Sequence, residues 1–189
     1  KPANLVGASL GGMTSLSLAG DPDYSSLCKT LTMVDIGIYP NQDGSDRIVE
    51  FMRSAENGFS SLEEAADYIS NFLPHREKPK DLSGLHKNLR KKNDRFYWHW
   101  DPKFLQGRQG QDIKEYFGHL EEAANFLNIP TLLIRGGLSD VLTEEDKDYF
   151  LKVVSHAEFE EISNAAHMVA GDKNDIFSIA VEKFLVKNN

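Results

Sequence analysis

One cysteine, Cys28, is all that the 189 residues contain. No disulfide can close within the chain, so a packed core must hold it together. A lone thiol fits a reducing compartment, and a cytoplasmic location is the expectation. No motif surrounds Cys28 that would make it a nucleophile. Long apolar runs are missing too: none reaches the roughly 18 residues of a membrane helix, so no membrane span is expected. The start, Lys1-Pro2-Ala3-Asn4, lacks a signal-peptide pattern. Basic excess is absent, with 21 Lys and Arg against 29 Asp and Glu and a formal charge of −8. That argues against a nucleic-acid surface. The run Arg90-Lys91-Lys92 is local and reads as the solvated face of a helix. There is no H-E-x-x-H and no Cys/His cluster, so neither metal nor other cofactor is expected. Repeats and low-complexity segments are also missing.

What is present is a 40% hydrophobic chain with an alternating texture. Asn4–Ala8 is a short apolar strand closed by a glycine-containing turn. Leu10–Ala19 reads as a helix ended by Gly20-Asp21-Pro22. Cys28–Ile36 is a buried strand with threonines between Leu31, Met33, Val34 and Ile36. Residues 38 to about 120 then show no convincing strand. Helices are expected at Glu63–Phe72, ended by Pro74, at His86–Trp100 and at Ile113–Leu127. The strand–helix rhythm returns at Pro130–Arg135. Thr143 begins a helix over Glu144–Val153, with Asp146 placed as in a capping box. Ala157–Ile162 is the last strand and Asn174–Val186 the last helix. Strands alternating with helices imply a parallel sheet. The domain reading is a core of residues 1–37 and 126–189 with a helical cap over 38–125.

Gly7-Ala8-Ser9-Leu10-Gly11 matches G-x-S-x-G, directly after a strand and directly before a helix. The motif makes a sharp strand-to-helix turn that lifts the serine out of the sheet. The residues two before and two after Ser9 come close there, which explains glycine at both. By chance the pattern turns up in about one chain in twenty of this length, so it needs partners. A serine hydroxyl is a weak nucleophile; it requires a base, and the base an orienting acid. Such groups sit on loops after the C-terminal ends of parallel strands. Asp140, in Gly136-Gly137-Leu138-Ser139-Asp140, follows one strand, and His167, in Asn164-Ala165-Ala166-His167-Met168, follows the next. Asp35, at the end of its own strand, is the alternative acid. His75, His86, His99, His119 and His156 read as surface or packing histidines. The Leu10 backbone N–H, at the helix start, is one oxyanion donor. Trp98 and Trp100 belong to an aromatic cluster with Phe96, Tyr97 and Phe104, which reads either as cap core or as the wall of an apolar substrate pocket.

The stretches Leu5–Met13, Arg135–Thr143 and Ala165–Phe177 resemble the α/β-hydrolase superfamily. His167-Met168-Val169-Ala170-Gly171-Asp172, followed by Asn174-Asp175, is similar to members grouped with epoxide hydrolases and cofactor-free haloperoxidases. The resemblance implies an α/β fold with an eight-stranded sheet and a cap after the sixth strand. The strands here are then the fifth to eighth, a partial parallel sheet. It implies a Ser-His-Asp enzyme acting through an acyl-enzyme on a small or medium ester. Serine in place of the aspartate nucleophile argues against epoxide or haloalkane hydrolysis. Peracid-forming haloperoxidase chemistry and C–C bond hydrolysis use the same triad and stay open. Four strands and a second oxyanion donor of the family pattern have no counterpart here. On that mapping the chain alone is expected to be weak or non-catalytic, and to self-associate through the exposed strand edge at 4–8. A small-molecule substrate is the only other partner expected.

Overall fold

A computed structural model describes residues 1–105 and 113–188, with the side chains of Ser54 and of residues 113–116 left aside. Contacts divide the chain into a larger unit, residues 1–45 with 111–189, and a smaller one, residues 46–110.

The larger unit begins with strand β1 (Ala3–Ala8) and helix α1 (Leu10–Ala19). Strand β2 (Cys28–Val34) is buried almost throughout, its β-branched threonines fitting a strand covered on both faces. Helix α2 (Gln42–Ser54) starts at the end of this segment, where Asn41 Oδ1 accepts from the Gly44 N–H at 3.2 Å. α2 was not anticipated from the sequence, although asparagine before a helix is an ordinary start signal.

In the smaller unit, helix α3 (Leu62–Phe72) is capped by Ser61, whose hydroxyl accepts from the Glu64 N–H. Two short strands follow, β3 (Leu89–Lys92) and β4 (Arg95–Trp98), paired antiparallel with Lys92 opposite Arg95. This hairpin corrects the expected helix over His86–Trp100. Asn93 and Asp94, the two turn residues, have φ of 50° and 61°. Two consecutive left-handed residues make the tight hairpin turn whose twist suits the flanking strands, and Asn and Asp tolerate it best after glycine. The Arg90-Lys91-Lys92 run is therefore on a strand, where Arg90, Lys91 and Lys92 are exposed. The unit has its own core of Ala55, Phe59, Ala65 and Leu89, with Leu62, Tyr68, Phe96 and Trp98 packed against it.

Back in the larger unit, helix α4 (Ile113–Phe126) leads to strand β5 (Thr131–Gly136), helix α5 (Glu144–Val153), strand β6 (Glu158–Ile162), the short helix α6 (Val169–Asp172) and helix α7 (Asn174–Lys187). α6 was also not anticipated. Thr143 forms the expected capping box with Asp146. α4 packs on α1, and a Cβ on Gly20 would meet the Ala123 carbonyl at 2.1 Å. Where the sequence leads one to expect a helical cap over 38–125, the compact smaller unit is 46–110, contains the β3–β4 hairpin and leaves α4 in the larger unit. The stretch 106–112 lies outside the described residues.

The sheet order is β1-β2-β5-β6, all parallel. Val34, Leu132, Ile134 and Ile162 pack with Phe184 of α7, and Phe177, Val181 and Leu185 close over them. This burial fixes strand register, because a one-residue slip would turn the apolar set to the other face. Ala8 pairs with Val34 and Val34 with Ile134, so β1 and β2 end level, while β5 runs two residues further to Gly136, which pairs with Ile162 at the end of β6. β1 is at the edge of the described sheet, with Val6 46% exposed.

Candidate active site

The stagger of the strand ends decides what meets what: β1 and β2 stop two residues short of β5 and β6. Ser9 follows Ala8, and its backbone N–H donates to the Val34 carbonyl at 3.1 Å. Asp35 follows Val34, and its N–H donates to the Ile134 carbonyl at 2.7 Å. Both leave the sheet with φ in the left-handed region, 50° for Ser9 and 54° for Asp35. His167 arrives from the loop after β6, whose first turn is Asn164, with φ of 57°.

Ser9 occupies the N-cap position of α1 without capping it by its side chain. Its carbonyl instead accepts from the N–H groups of Gly12 and Met13 at 2.9 and 3.1 Å. Leu10 is the first helical residue, so its N–H is among those with no partner inside the helix and points where an anion is favoured. Of the two motif glycines, Gly7 is required by space: a Cβ there would lie 2.3 Å from the Gly11 carbonyl oxygen. A Cβ on Gly11 itself would meet nothing within 4 Å, so the expected mutual clash holds for one partner only. The second close approach is made by Gly12, whose Cβ would lie 2.5 Å from Ile36 Cγ2.

His167 Nδ1 lies 2.8 Å from Asp35 Oδ2. A carboxylate only accepts, so Nδ1 carries the proton and Nε2 is left free to act as a base. The sequence favours Asp140 in this place with Asp35 as the alternative; in the structure the carboxylate within hydrogen-bond distance of His167 is that of Asp35. Asp35 is fully buried, and its Oδ1 accepts the Gly136 N–H at 2.8 Å while Oδ2 also accepts the Ser139 hydroxyl at 2.5 Å. Asp140 stands four residues beyond β5, where its backbone lies against the first turn of α2; a Cβ on Gly44 would meet the Asp140 carbonyl at 2.2 Å.

The His167 loop is held from two sides. Leu138 N–H donates to the Ala165 carbonyl at 2.8 Å, and Asp172 Oδ2 accepts the Ala166 N–H at 2.8 Å. Gly136 sits so close that a Cβ would meet the Ala166 carbonyl at 2.4 Å. Among the described residues, Ser9 makes no side-chain hydrogen bond to His167; such bonds commonly form only with substrate bound. Arg135, in β5, is buried and donates to the Leu142 carbonyl, Glu144 and Glu161. Both it and Asp172 lie in stretches that carry the family resemblance, but the sequence alone assigns neither of them a role.

Trp98 and Trp100 stack on each other with ring centroids 4.7 Å apart, and Trp98 also meets Phe51 and Phe59. These contacts make Trp98 part of the smaller unit's own core. His99 and His156 each bond a backbone carbonyl, of Asn88 and Ile129 respectively. Among the described residues no group of three or more His, Cys, Asp or Glu could hold a metal, and no helix is long and apolar enough to cross a membrane.

Ser9 on a strained strand-to-helix turn after β1, Asp35 buried at the end of the adjacent β2, and His167 on the loop after β6 stand at one end of the sheet, where hydrolases of parallel-sheet architecture carry such groups. Residues 1–173 match the family model described as the alpha/beta hydrolase fold, and the chain belongs to that family. The esterase Rv0045c of Mycobacterium tuberculosis is 27% identical over 177 residues, which cover 89% of this chain and 56% of the esterase. The chain thus spans little more than half the length of that relative. A crystal structure of the same esterase superposes with a TM-score of 0.72 at 26% identity, over 95% of this chain and 59% of that one. E-2-(acetamidomethylene)succinate hydrolase has a TM-score of 0.82 at 17% identity, over 97% and 66% of the two chains. A putative hydrolase from Rickettsia typhi has a TM-score of 0.78 at 21% identity, over 100% and 64%.

Proposed function

We propose that this chain carries the catalytic triad of a serine esterase, with Ser9 as nucleophile, His167 as base and Asp35 as acid. The observation that carries the reading is the 2.8 Å pair between His167 Nδ1 and the buried Asp35, beside a serine held in the left-handed region on the adjacent strand. The esterase relative supports the substrate class.

Ser9 Oγ attacks the ester carbonyl as His167 Nε2 takes its proton. Asp35 holds the imidazole in that tautomer and stabilises it when it becomes charged. The Leu10 N–H, at the positive end of α1, donates to the oxyanion. His167 returns the proton to the departing alcohol. It then activates a water, which attacks the acyl-Ser9 carbonyl and releases the carboxylic acid.

The test is hydrolysis of a panel of p-nitrophenyl esters of increasing acyl length, alongside labelling by a fluorophosphonate. Labelling at Ser9 and its loss in Ser9→Ala are expected, together with loss of turnover. Ester turnover retained in Ser9→Ala would sink the assignment. A diketone substrate and a peroxide-dependent bromination assay, run beside the panel, separate ester cleavage from C–C hydrolysis and peracid formation.

A further inference from the structure

The loop that the sequence singled out for its aspartate contains a different polar side chain at the centre of the site. Ser139 is buried, 9% exposed, and its hydroxyl lies 2.5 Å from Asp35 Oδ2, the oxygen that also faces His167. The same hydroxyl is within 3.2 and 3.3 Å of the backbone N–H groups of Val141 and Leu142. Those two groups can only donate, so they occupy the lone pairs of the Ser139 oxygen. Its single proton is then directed to Asp35.

We propose that Ser139 is a positioning residue: it fixes the Asp35 carboxylate so that Oδ2 faces the His167 ring. The inference rests on Asp35 being the acid. Asp35 leaves β2 through a left-handed turn, and its carboxylate is held from the β5 side by the Gly136 N–H on one oxygen and Ser139 on the other. The Gly136 bond is to backbone and no side-chain change removes it. The Ser139 bond sets the plane of the carboxylate, and with it the direction of the bond to His167. Without the hydroxyl, Oδ2 keeps His167 alone and the Val141 and Leu142 donors lose their acceptor. A hydroxyl that served only the turn at 139–142 would affect stability and leave the chemical step alone.

The experiment compares Ser139→Ala, Ser139→Thr, Asp35→Asn and the Asp35→Asn/Ser139→Ala double variant of the whole chain, with p-nitrophenyl acetate as substrate. Ser139→Ala should lower kcat about 10- to 100-fold, as expected for one hydrogen bond to a charged group, with KM unchanged within about twofold. Ser139→Thr, which keeps the hydroxyl, should recover most of kcat. Because Ser139 acts through Asp35, the double variant should be no slower than Asp35→Asn alone. Unchanged kcat in Ser139→Ala, or losses that multiply in the double variant, would overturn the proposal. A full rate in Asp35→Asn instead overturns the triad reading itself. A readout without turnover stands beside these: the low-field proton resonance of the hydrogen-bonded His167 imidazole, identified by its loss in His167→Gln. It should move in Ser139→Ala and return in Ser139→Thr. A resonance unmoved in Ser139→Ala refutes the positioning role even where no rate is measurable.

Discussion

Two neighbouring strands of one sheet, β2 and β5, each run out toward an aspartate, and the two aspartates have different surroundings. Asp35 comes one residue after β2 ends, is fully buried, and receives hydrogen bonds from Gly136, Ser139 and His167. Asp140 comes after a loop that has already turned back, and is half-buried beside α2. The end of β2 supplies a charge and the end of β5 supplies what holds it. A buried carboxylate is costly unless donors surround it. Hence the buried carboxylate and the groups that hold it come from different strands, 101 and 104 residues apart in sequence for Gly136 and Ser139.

The sharpest way to break this comparison is to neutralise each aspartate in turn. Asp35→Asn should lower esterase kcat by about 10⁴, through the wrong imidazole tautomer, while Asp140→Asn should cost far less. If the order is reversed, the acid belongs to the end of β5. Next comes the backbone of the supporting strand. Gly136→Ala forces a Cβ to within 2.4 Å of the Ala166 carbonyl, whereas at Gly137 the nearest atom is 3.5 Å away. We expect Gly136→Ala to destabilise by about 1–3 kcal/mol, as overpacking does, and to cut kcat by displacing His167. Gly137→Ala should be nearly silent in both thermal unfolding and rate.

Smaller effects separate the elements that follow each end. Thr143, three residues past Asp140, caps α5 with a full capping box. Thr143→Ala should cost about 1 kcal/mol in denaturant unfolding with little change in kcat. Tyr39, four residues past Asp35, donates to Glu121, as does Tyr149. Burial first, and then the Glu121 carboxylate, push the Tyr39 phenol up to about 12. Its folded value is above its unfolded one, so its contribution is complete at neutral pH and is lost as pH rises from the ordinary tyrosine range toward 12. Wild type should therefore lose stability over that window relative to Tyr39→Phe. Parallel curves for the two proteins would show that the pair contributes nothing.

How far the sequence could be read follows from how local each signal was. The turn at Ser9 was legible because strand, glycine, serine and helix lie within a dozen residues. The Thr143 cap needed only four. Which aspartate stands beside His167 depends on register: how far each strand runs and which loop folds back toward the sheet. No short window contains that. The β3–β4 hairpin was local yet misread. Its aromatic and basic residues fall at helical spacing, while the cue for a hairpin lies in Asn93-Asp94, two residues that suit a left-handed turn. Gly11 shows a third kind of gap: the motif carries a glycine where a Cβ would meet nothing within 4 Å.

Ser9, Asp35 and Asn164 share one further property: each carries a non-glycine side chain at positive φ, just past the end of β1, β2 or β6. A left-handed backbone at such residues costs on the order of 1 kcal/mol each. Three of the four strands of the described sheet thus carry this strain just past their C-terminal ends. Selection for foldability alone would place glycine at Ser9 and gain stability. On the proposed function, where Ser9 is the nucleophile, the serine sits there at a thermodynamic loss, and Ser9→Gly is expected to be at once more stable and inert.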